Sequence, residues 1–193
     1  PRIGCIKLNE NSGAYTARNT GVYASQTIDW THVTFIDPDD VAHPTWLQHS
    51  LDVLAGREGS VRPYIRRYDI TLKNPLQAYF GHCPTLHSRF AWERSGGFLS
   101  LRRSGDSELT LRLSHLSKDG LTVNVKSFEE SIMCRHIPGS ATHQDLTSRK
   151  LMLEKRDDEL KGLKNSGNLL RRKNLTLLLI IEIVNLPLKN CFI

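Results

Sequence analysis

The sequence predicts an all-β fold followed by a charged helical tail, and three observations support that expectation. Short apolar runs typical of β-strands recur over residues 29–130, separated by turns rich in Gly, Pro and Asp. These runs repeat after about 50 residues. A pattern dense in Lys, Arg, Asp, Glu and Leu follows from residue 131 onward. We therefore expect a partial repeat unit or disordered lead-in over 1–28, a repeat-containing β domain over 29–130, and a divergent tail over 131–193.

The composition is that of an ordinary globular protein. The 193 residues are 39% hydrophobic and 24% charged, with a formal net charge of +6. This excludes a collagen-like, low-complexity or wholly disordered chain. The basic excess is compatible with weak affinity for an acidic partner, but we expect no direct nucleic-acid contact, because the basic pairs are typical of solvated loops and strand edges.

Eight runs of the first part are candidate strands. Their antiparallel arrangement is expected from their short spacing and from the turn residues between them. The runs cover residues 32–36, 51–54, 60–65, 69–72, 88–92, 98–102, 108–113 and 121–125. One segment does not fit: Asp-Pro-Asp-Asp at 37–40 can cap a helix reaching about residue 48, or belong to a long loop, which Pro44 favours.

The tail is expected to contain one solvated helix and one short apolar end. Residues 144–164 carry closely spaced charges of both signs, and Gly167 is a suitable terminator. The apolar run 175–184 contains Glu182 and is too short to cross a bilayer, which needs about 20 apolar residues. We therefore predict no membrane anchor.

The repeat indicates propeller blades. A unit of four strands that recurs every 40 to 50 residues is typical of a β-propeller. The matching runs are 51–54 with 98–101, 60–65 with 108–113, and 69–72 with 120–123. About two blades are recognisable, so the chain would form part of a propeller.

Gly81-His82 precedes the first strand of the second unit, and Asp106 follows in the turn Ser104-Gly105-Asp106. An Asp carboxylate in that turn can orient the His imidazole through a hydrogen bond. The segment 76–113 therefore resembles one blade of a WD-repeat protein, with His82 and Asp106 as its structural pair.

Within the WD-repeat proteins, residues 29–130 resemble the extra sex combs/embryonic ectoderm development family of Polycomb proteins. The residues that carry the resemblance are Leu54-Ala55-Gly56, Gly59-Ser60-Val61-Arg62, Tyr79-Phe80-Gly81-His82, Leu99-Ser100, Asp106 and Leu111-Arg112-Leu113. Microtubule-associated WD-repeat proteins offer a competing match at Gly81-His82, Trp92 and Ser104-Gly105-Asp106.

The Polycomb resemblance implies a nuclear scaffold without catalysis or cofactor. Its partners would be a histone methyltransferase subunit and a histone tail peptide, and its role would be chromatin repression; a cytoplasmic location is the alternative. The resemblance places Trp30 at one position of an aromatic cage for trimethyl-lysine, which cation–π attraction would stabilise. Packing of Trp30 between blades is the competing interpretation.

An enzyme remains the second hypothesis. His32-Val33-Thr34 and His115-Leu116-Ser117 each fit the His-x-Thr/Ser pattern of two-histidine phosphodiesterases acting on RNA or cyclic phosphates. In that chemistry one imidazole is the base and the other the acid, while the two hydroxyl groups hold the phosphate. His32, Thr34, His115 and Ser117 would then be catalytic.

We predict no metal site. Six scattered side chains could offer imidazole or thiolate ligands to zinc, but no pair among them has the spacing of a known zinc finger. They are His82, Cys83, His87, Cys134, His136 and His143.

Overall fold

The computed structural model describes residues 4–101, 103–118, 120–137 and 146–165, and these residues form five helices and six strands. The helices are α1 (Ala14–Ala24), α2 (Trp46–Leu54), α3 (Arg89–Ser95), α4 (Gly105–Ser117) and α5 (Leu146–Asn165). The strands are β1 (His32–Val33), β2 (Val41–Ala42), β3 (Gly59–Tyr68), β4 (Pro75–Phe80), β5 (Leu86–Ser88) and β6 (Val123–Arg135). The prediction of an all-β partial propeller is therefore wrong, since the described fold is mixed α/β.

One mixed sheet organises the described residues. Its strand order is β1-β5-β3-β6-β2, and β4 also pairs with β3. The long strands β3 and β6 run parallel, with Val61 opposite Val125, while the other pairs are antiparallel. The connection from β3 to β6 passes through β4, β5, α3 and α4, so the two central strands are distant in sequence.

The apparent repeat came from apolar runs that adopt different structures. Leu109, Leu111 and Leu113 alternate as in a strand. Leu109, Leu113 and Leu116 are also spaced as one helical face, and these three are the buried leucines of α4, whereas Leu111 is only partly buried. The helical interpretation prevails because that face packs against the core. Residues 51–54 likewise end α2, and 88–92 pass from β5 into α3.

Tertiary packing places α1, β1, α3 and α4 around one aromatic core. Ala91, Trp92, Phe98, Leu109 and Leu113 are buried together. The partly buried side chains packed on this cluster are Tyr15, Val22, Trp30, Val33 and Phe35. Two other clusters join α2 to the sheet: Trp46, Ile65 and Ile132, and then Leu54, Val61 and Leu86. The aromatic core fixes the loops at the ends of β1 and before α4.

The C-terminal helix α5 lies against α4. It spans residues 146–165, close to the helix expected over 144–164, and its Leu160 is 1% exposed. Within the described residues, no helix is long and apolar enough to cross a membrane. The apolar run 175–184 lies outside the described residues.

Candidate active site

Carboxylates from two distant segments act on one half-buried thiol, that of Cys83. Burial raises the pKa of Cys83 to about 12; Arg18 opposes that rise, and Asp37, Asp106 and Asp40 add to it. One thiol therefore experiences charges from the loop between β1 and β2, from α4 and from α1. The Cys83 thiol itself donates a hydrogen bond of 3.4 Å to the Phe35 carbonyl oxygen. We call Asp37, Asp39, Asp40 and Asp106 the carboxylate site.

The first part of the carboxylate site is the Asp-Pro-Asp-Asp loop after β1. Phe35 anchors this loop, because its ring centroid lies 5.2 Å from those of both Trp92 and Phe98. Asp37 accepts a hydrogen bond from the guanidinium of Arg18. The following residues lead directly into β2 at the far edge of the sheet. The loop therefore projects its carboxylates beyond a rigid aromatic anchor.

The environment differs between the carboxylates of this loop. Burial raises the pKa of Asp40, a hydrogen bond with Cys134 opposes that rise, and the negative charges of Asp37 and Asp39 add to it. Asp39 is exposed, and half of the side-chain surface of Asp37 is accessible to solvent. Asp37 and Asp39 can therefore meet a ligand from solvent, whereas Asp40 faces the interior.

Asp106 lies in the first turn of α4, where the helix dipole favours a negative charge. It is half-buried. The Tyr15 hydroxyl donates a hydrogen bond of 3.0 Å to Asp106 Oδ1. Gly105 permits this approach, since a Cβ atom at that position would lie 2.7 Å from the Tyr15 ring.

One face of α1 connects the two parts of the carboxylate site. Tyr15, Arg18, Asn19 and Val22 share that face by helical spacing. Asn19 donates to the Phe98 carbonyl oxygen at 2.8 Å and accepts from the Phe98 backbone N–H at 3.0 Å. The Arg18 guanidinium lies 5.7 Å from the ring centroids of Tyr15 and Phe98, and 5.8 Å from that of Phe35. These contacts hold Arg18 between the Asp-Pro-Asp-Asp loop and the rings of Tyr15, Phe35 and Phe98.

Buried ion pairs within α4 and between α4 and α5 stabilise α4. Glu108 is 1% exposed and accepts two hydrogen bonds from Arg112, at 3.1 and 2.6 Å. Arg156 of α5 donates a third, at 3.1 Å. His115 Nε2 lies 2.7 Å from Asp157 Oδ1, also on α5. The helix that carries Asp106 is therefore fixed by charge pairing as well as by apolar packing.

Comparison with known protein families shows which family this chain belongs to. The family model described as glycosyl transferase family 2 matches residues 1–109, which is more than half of the 193 residues. The chain belongs to glycosyl transferase family 2. No curated protein matches it. The matched segment contains Asp37, Asp39, Asp40 and Asp106 as well as α1, and α5 and β6 lie outside it.

Membership in glycosyl transferase family 2 overturns the WD-repeat and Polycomb resemblance. The expected scaffold function and the chromatin role are wrong, because the matched domain is that of an enzyme family. The predicted histone methyltransferase and histone peptide partners are likewise wrong, since a glycosyltransferase takes a sugar donor and an acceptor. The phosphodiesterase hypothesis has no support from the family either.

The two residues of the predicted WD pair lie in different kinds of structure, one in a helix and one in a loop. Ser104-Gly105-Asp106 lies at the start of α4, and so it does not form a turn between strands. His82 lies between β4 and β5, and its carbonyl oxygen accepts from Thr85 at 2.8 Å. The hydroxyl bound to the Asp106 carboxylate is that of Tyr15. Trp30, the predicted cage residue, packs on the aromatic core with the Arg89 guanidinium 5.0 Å from its ring centroid.

The four residues of the phosphodiesterase hypothesis have separate surroundings. His32 is on β1 and its Nδ1 lies 3.0 Å from Thr31 Oγ1; Thr34 follows the same strand. His115 is 3% exposed and bound to Asp157. Ser117 ends α4 and donates to the Ser114 carbonyl oxygen at 3.3 Å. His115 is thus part of the packing between α4 and α5.

The candidate zinc ligands do not form a cluster in the described part of the chain. There, no group of three or more His, Cys, Asp or Glu side chains could hold a metal ion by itself. His87 is buried, its Nδ1 lies 2.9 Å from Ser60 Oγ, and burial lowers its pKa to about 3. Cys83 and Cys134 are free thiols, and His143 lies outside the described residues.

Sequence reasoning missed Asp37, Asp39, Arg18 and Tyr15 as members of a site. A signal for the loop was present, because three carboxylates directly follow the run 32–36, and ligands of α/β proteins bind beyond the carboxyl ends of strands. We interpreted these residues as a helix cap or loop. For Tyr15 and Arg18 the sequence offered only a short helical pattern, with no indication of a partner.

Proposed function

We propose that this chain carries the catalytic site of a glycosyltransferase, which moves a sugar from an activated donor to an acceptor hydroxyl. The observation that supports this most is that one face of α1 contacts both Asp106, through Tyr15, and Asp37, through Arg18, inside the segment matched by the family. One carboxylate group faces the donor and the other faces the acceptor. Both are fixed on a rigid aromatic core.

Asp106 is the general base of this proposal. An acceptor hydroxyl is a weak nucleophile, and a positioned carboxylate that takes its proton accelerates attack by roughly 10² to 10⁴. The acceptor oxygen forms a bond to the anomeric carbon of the donor. The bond from that carbon to the leaving oxygen breaks, and the leaving group departs with the electron pair. Asp106 suits the role because its carboxylate is half-buried and is held by the Tyr15 hydroxyl.

Arg18 and the Asp-Pro-Asp-Asp loop face the donor. An activated sugar commonly leaves with a phosphate or diphosphate group, whose negative charge a guanidinium stabilises. Arg18 already lies between Asp37 and the rings of Tyr15, Phe35 and Phe98. It can therefore exchange part of its contact with Asp37 for the phosphate without leaving its place.

The donor set of the loop also fits a divalent cation. Mg²⁺ prefers oxygen ligands and is usually held by one or two carboxylates together with substrate phosphates, not by an all-protein cage. Asp37 and Asp39, which are both exposed, would hold such an ion together with the substrate phosphates. The cation would supply neutralisation of the leaving phosphate.

The test is turnover of nucleotide sugars by the purified chain. We would incubate it with UDP-, GDP- and dTDP-activated hexoses, with Mg²⁺ and mixed sugar acceptors, and measure the released nucleoside diphosphate. Asp106→Asn should lower the rate at least 100-fold, because the amide accepts no proton.

The matched control is Asp29→Asn, which removes a fully exposed carboxylate away from the site and should leave the rate unchanged. An Asp106→Asn variant as fast as the wild type would contradict the assignment of the base. A wild type that turns over no donor would contradict the proposed function.

A further inference from the structure

The contact between Tyr15 and Asp106 is more specific than packing requires. The Tyr15 hydroxyl donates to Asp106 Oδ1 at 3.0 Å. The backbone N–H groups of Asp106 and Gly105 also act on the Tyr15 oxygen, and both lower its pKa. Burial and the Asp106 carboxylate outweigh them and raise the pKa of Tyr15 to about 12. The phenol therefore stays protonated and remains a donor at any pH at which the protein works.

The surroundings of Tyr15 keep its hydroxyl in that place. Its ring centroid lies 5.1 Å from that of Phe98, and the Arg18 guanidinium lies 5.7 Å from it on another side. Gly105 leaves the space that the ring occupies, since a Cβ atom there would approach it to 2.7 Å. The Ser104 side chain makes no capping hydrogen bond to α4, whereas the Tyr15 hydroxyl binds Asp106 in the first turn of this helix.

We propose that Tyr15 is a positioning residue for Asp106: its hydroxyl holds Oδ1 and thereby presents Oδ2 to the acceptor. This inference rests on the proposed function, in which Asp106 is the base. A hydrogen bond donated to a carboxylate also favours its ionised form. Tyr15 thus orients the Asp106 carboxylate toward the acceptor hydroxyl.

Several charged groups lie in the same region as Tyr15 and Asp106. Arg18 comes from α1, and Asp37 and Asp40 come from the loop between β1 and β2; together with Asp106 they act on Cys83, in the loop between β4 and β5. Substitution of Tyr15 alone leaves these groups in place, so its effect on the titration of Asp106 can be isolated.

The test uses NMR titration of side-chain carboxyl carbons in the full chain labelled with ¹³C-aspartate. The Asp106 signal is assigned as the one missing from Asp106→Asn. In Tyr15→Phe the midpoint of this signal should move to higher pH by about 1 unit, the size expected for loss of a hydrogen bond to a charged group. Tyr23→Phe is the matched control, a half-buried tyrosine of the same helix, and should leave the midpoint unchanged.

A second variant tests the same proposal if Tyr15→Phe fails to fold. Gly105→Ala keeps the tyrosine but pushes its ring away from Asp106, and it should raise the same midpoint. An unchanged midpoint in both variants would overturn the proposal.

Enzyme kinetics then separate this inference from the proposed function. Tyr15→Phe should lower kcat by roughly tenfold with an unchanged donor KM, and the acid limb of the kcat profile should move to higher pH with the NMR midpoint. A purely structural role would lower the amount of folded protein without moving that limb, which would overturn the proposal. A chain without turnover would contradict the proposed function, whereas the NMR midpoints would still report whether Tyr15 controls Asp106.

Discussion

At the scale of single residues, the stability of the fold depends on buried polar side chains that have few hydrogen-bond partners. His87 is 3% exposed and lies between β3 and α3, with its Nδ1 2.9 Å from Ser60 Oγ and its ring centroid 5.7 Å from that of Trp92. Burial lowers its pKa to about 3. An unfolded chain restores a value near 6.5. His87 is therefore neutral in the folded protein and protonates in the unfolded one as the pH falls.

This difference predicts a loss of stability in acid. Because the unfolded state binds the proton first, the free energy of unfolding should fall progressively between about pH 6.5 and pH 3, and should be unaffected by His87 above that range. Urea unfolding of His87→Gln against the wild type over this range measures the contribution.

The variant should show a flatter pH dependence, whatever constant difference in stability the substitution causes near neutral pH. His43→Gln is the control, since His43 is exposed and its Nδ1 lies 2.8 Å from Thr45 Oγ1 in an exposed turn. Parallel pH curves for His87→Gln and the wild type would contradict this account.

At the scale of elements, α4 is held by its contacts with α5. Glu108 pairs with Arg112 within α4 and with Arg156 across the helix interface. Removal of one partner from a buried ion pair is costly because it leaves an uncompensated charge, and the usual penalty is about 3 to 5 kcal/mol. Asp106 lies two residues before Glu108, so this cluster also fixes the proposed base.

We therefore expect the two arginines to contribute unequally. Arg112→Met should lower the free energy of unfolding by about 3 kcal/mol, since it removes two hydrogen bonds from a buried carboxylate. Arg156→Met should cost less, because Arg112 still pairs with Glu108. Lys150→Met removes an exposed 3.8 Å pair with Glu154 and should change stability by less than about 1 kcal/mol. Equal losses in all three variants by urea unfolding would contradict the role of the buried cluster.

The same elements show what local sequence could predict. The run 60–65 was expected to be a strand and lies within β3. The run 108–113 was expected to be a strand and is helical, because the spacing of its leucines satisfies both periods and only the packing against Phe98 and Trp92 decides between them. Local pattern thus predicts an element where one period dominates and fails where two periods fit equally.

At the scale of the whole molecule, the features that the sequence could not predict depend on contacts between residues that are distant in sequence. The central pairing of β3 with β6 is parallel and spans four intervening elements. No local turn or repeat in the sequence therefore indicates this pairing. The candidate site depends on the same kind of contact: Asp37 and Asp106 are about 70 residues apart and meet through α1 and Cys83. The loop 37–40 was visible in the sequence, but its partner across the site was not.

The apparent repeat misled the interpretation at this scale. The runs 51–54 and 98–101 were interpreted as matching strands, but the first ends α2 and the second lies between α3 and α4. Gly105 and Asp106 were interpreted as turn residues of a blade. In the structure Gly105 admits the Tyr15 ring and Asp106 accepts its hydrogen bond.

The measurement that tests the central claim most directly is a comparison of donor binding and turnover in Asp106→Asn. The account predicts that the variant binds the nucleotide-sugar donor with an unchanged dissociation constant, because Arg18 and the Asp-Pro-Asp-Asp loop are intact, while kcat for sugar transfer falls at least 100-fold. A variant that transfers sugar at the wild-type rate, or that loses donor binding and turnover together, would contradict the assignment of Asp106 as the base facing the acceptor.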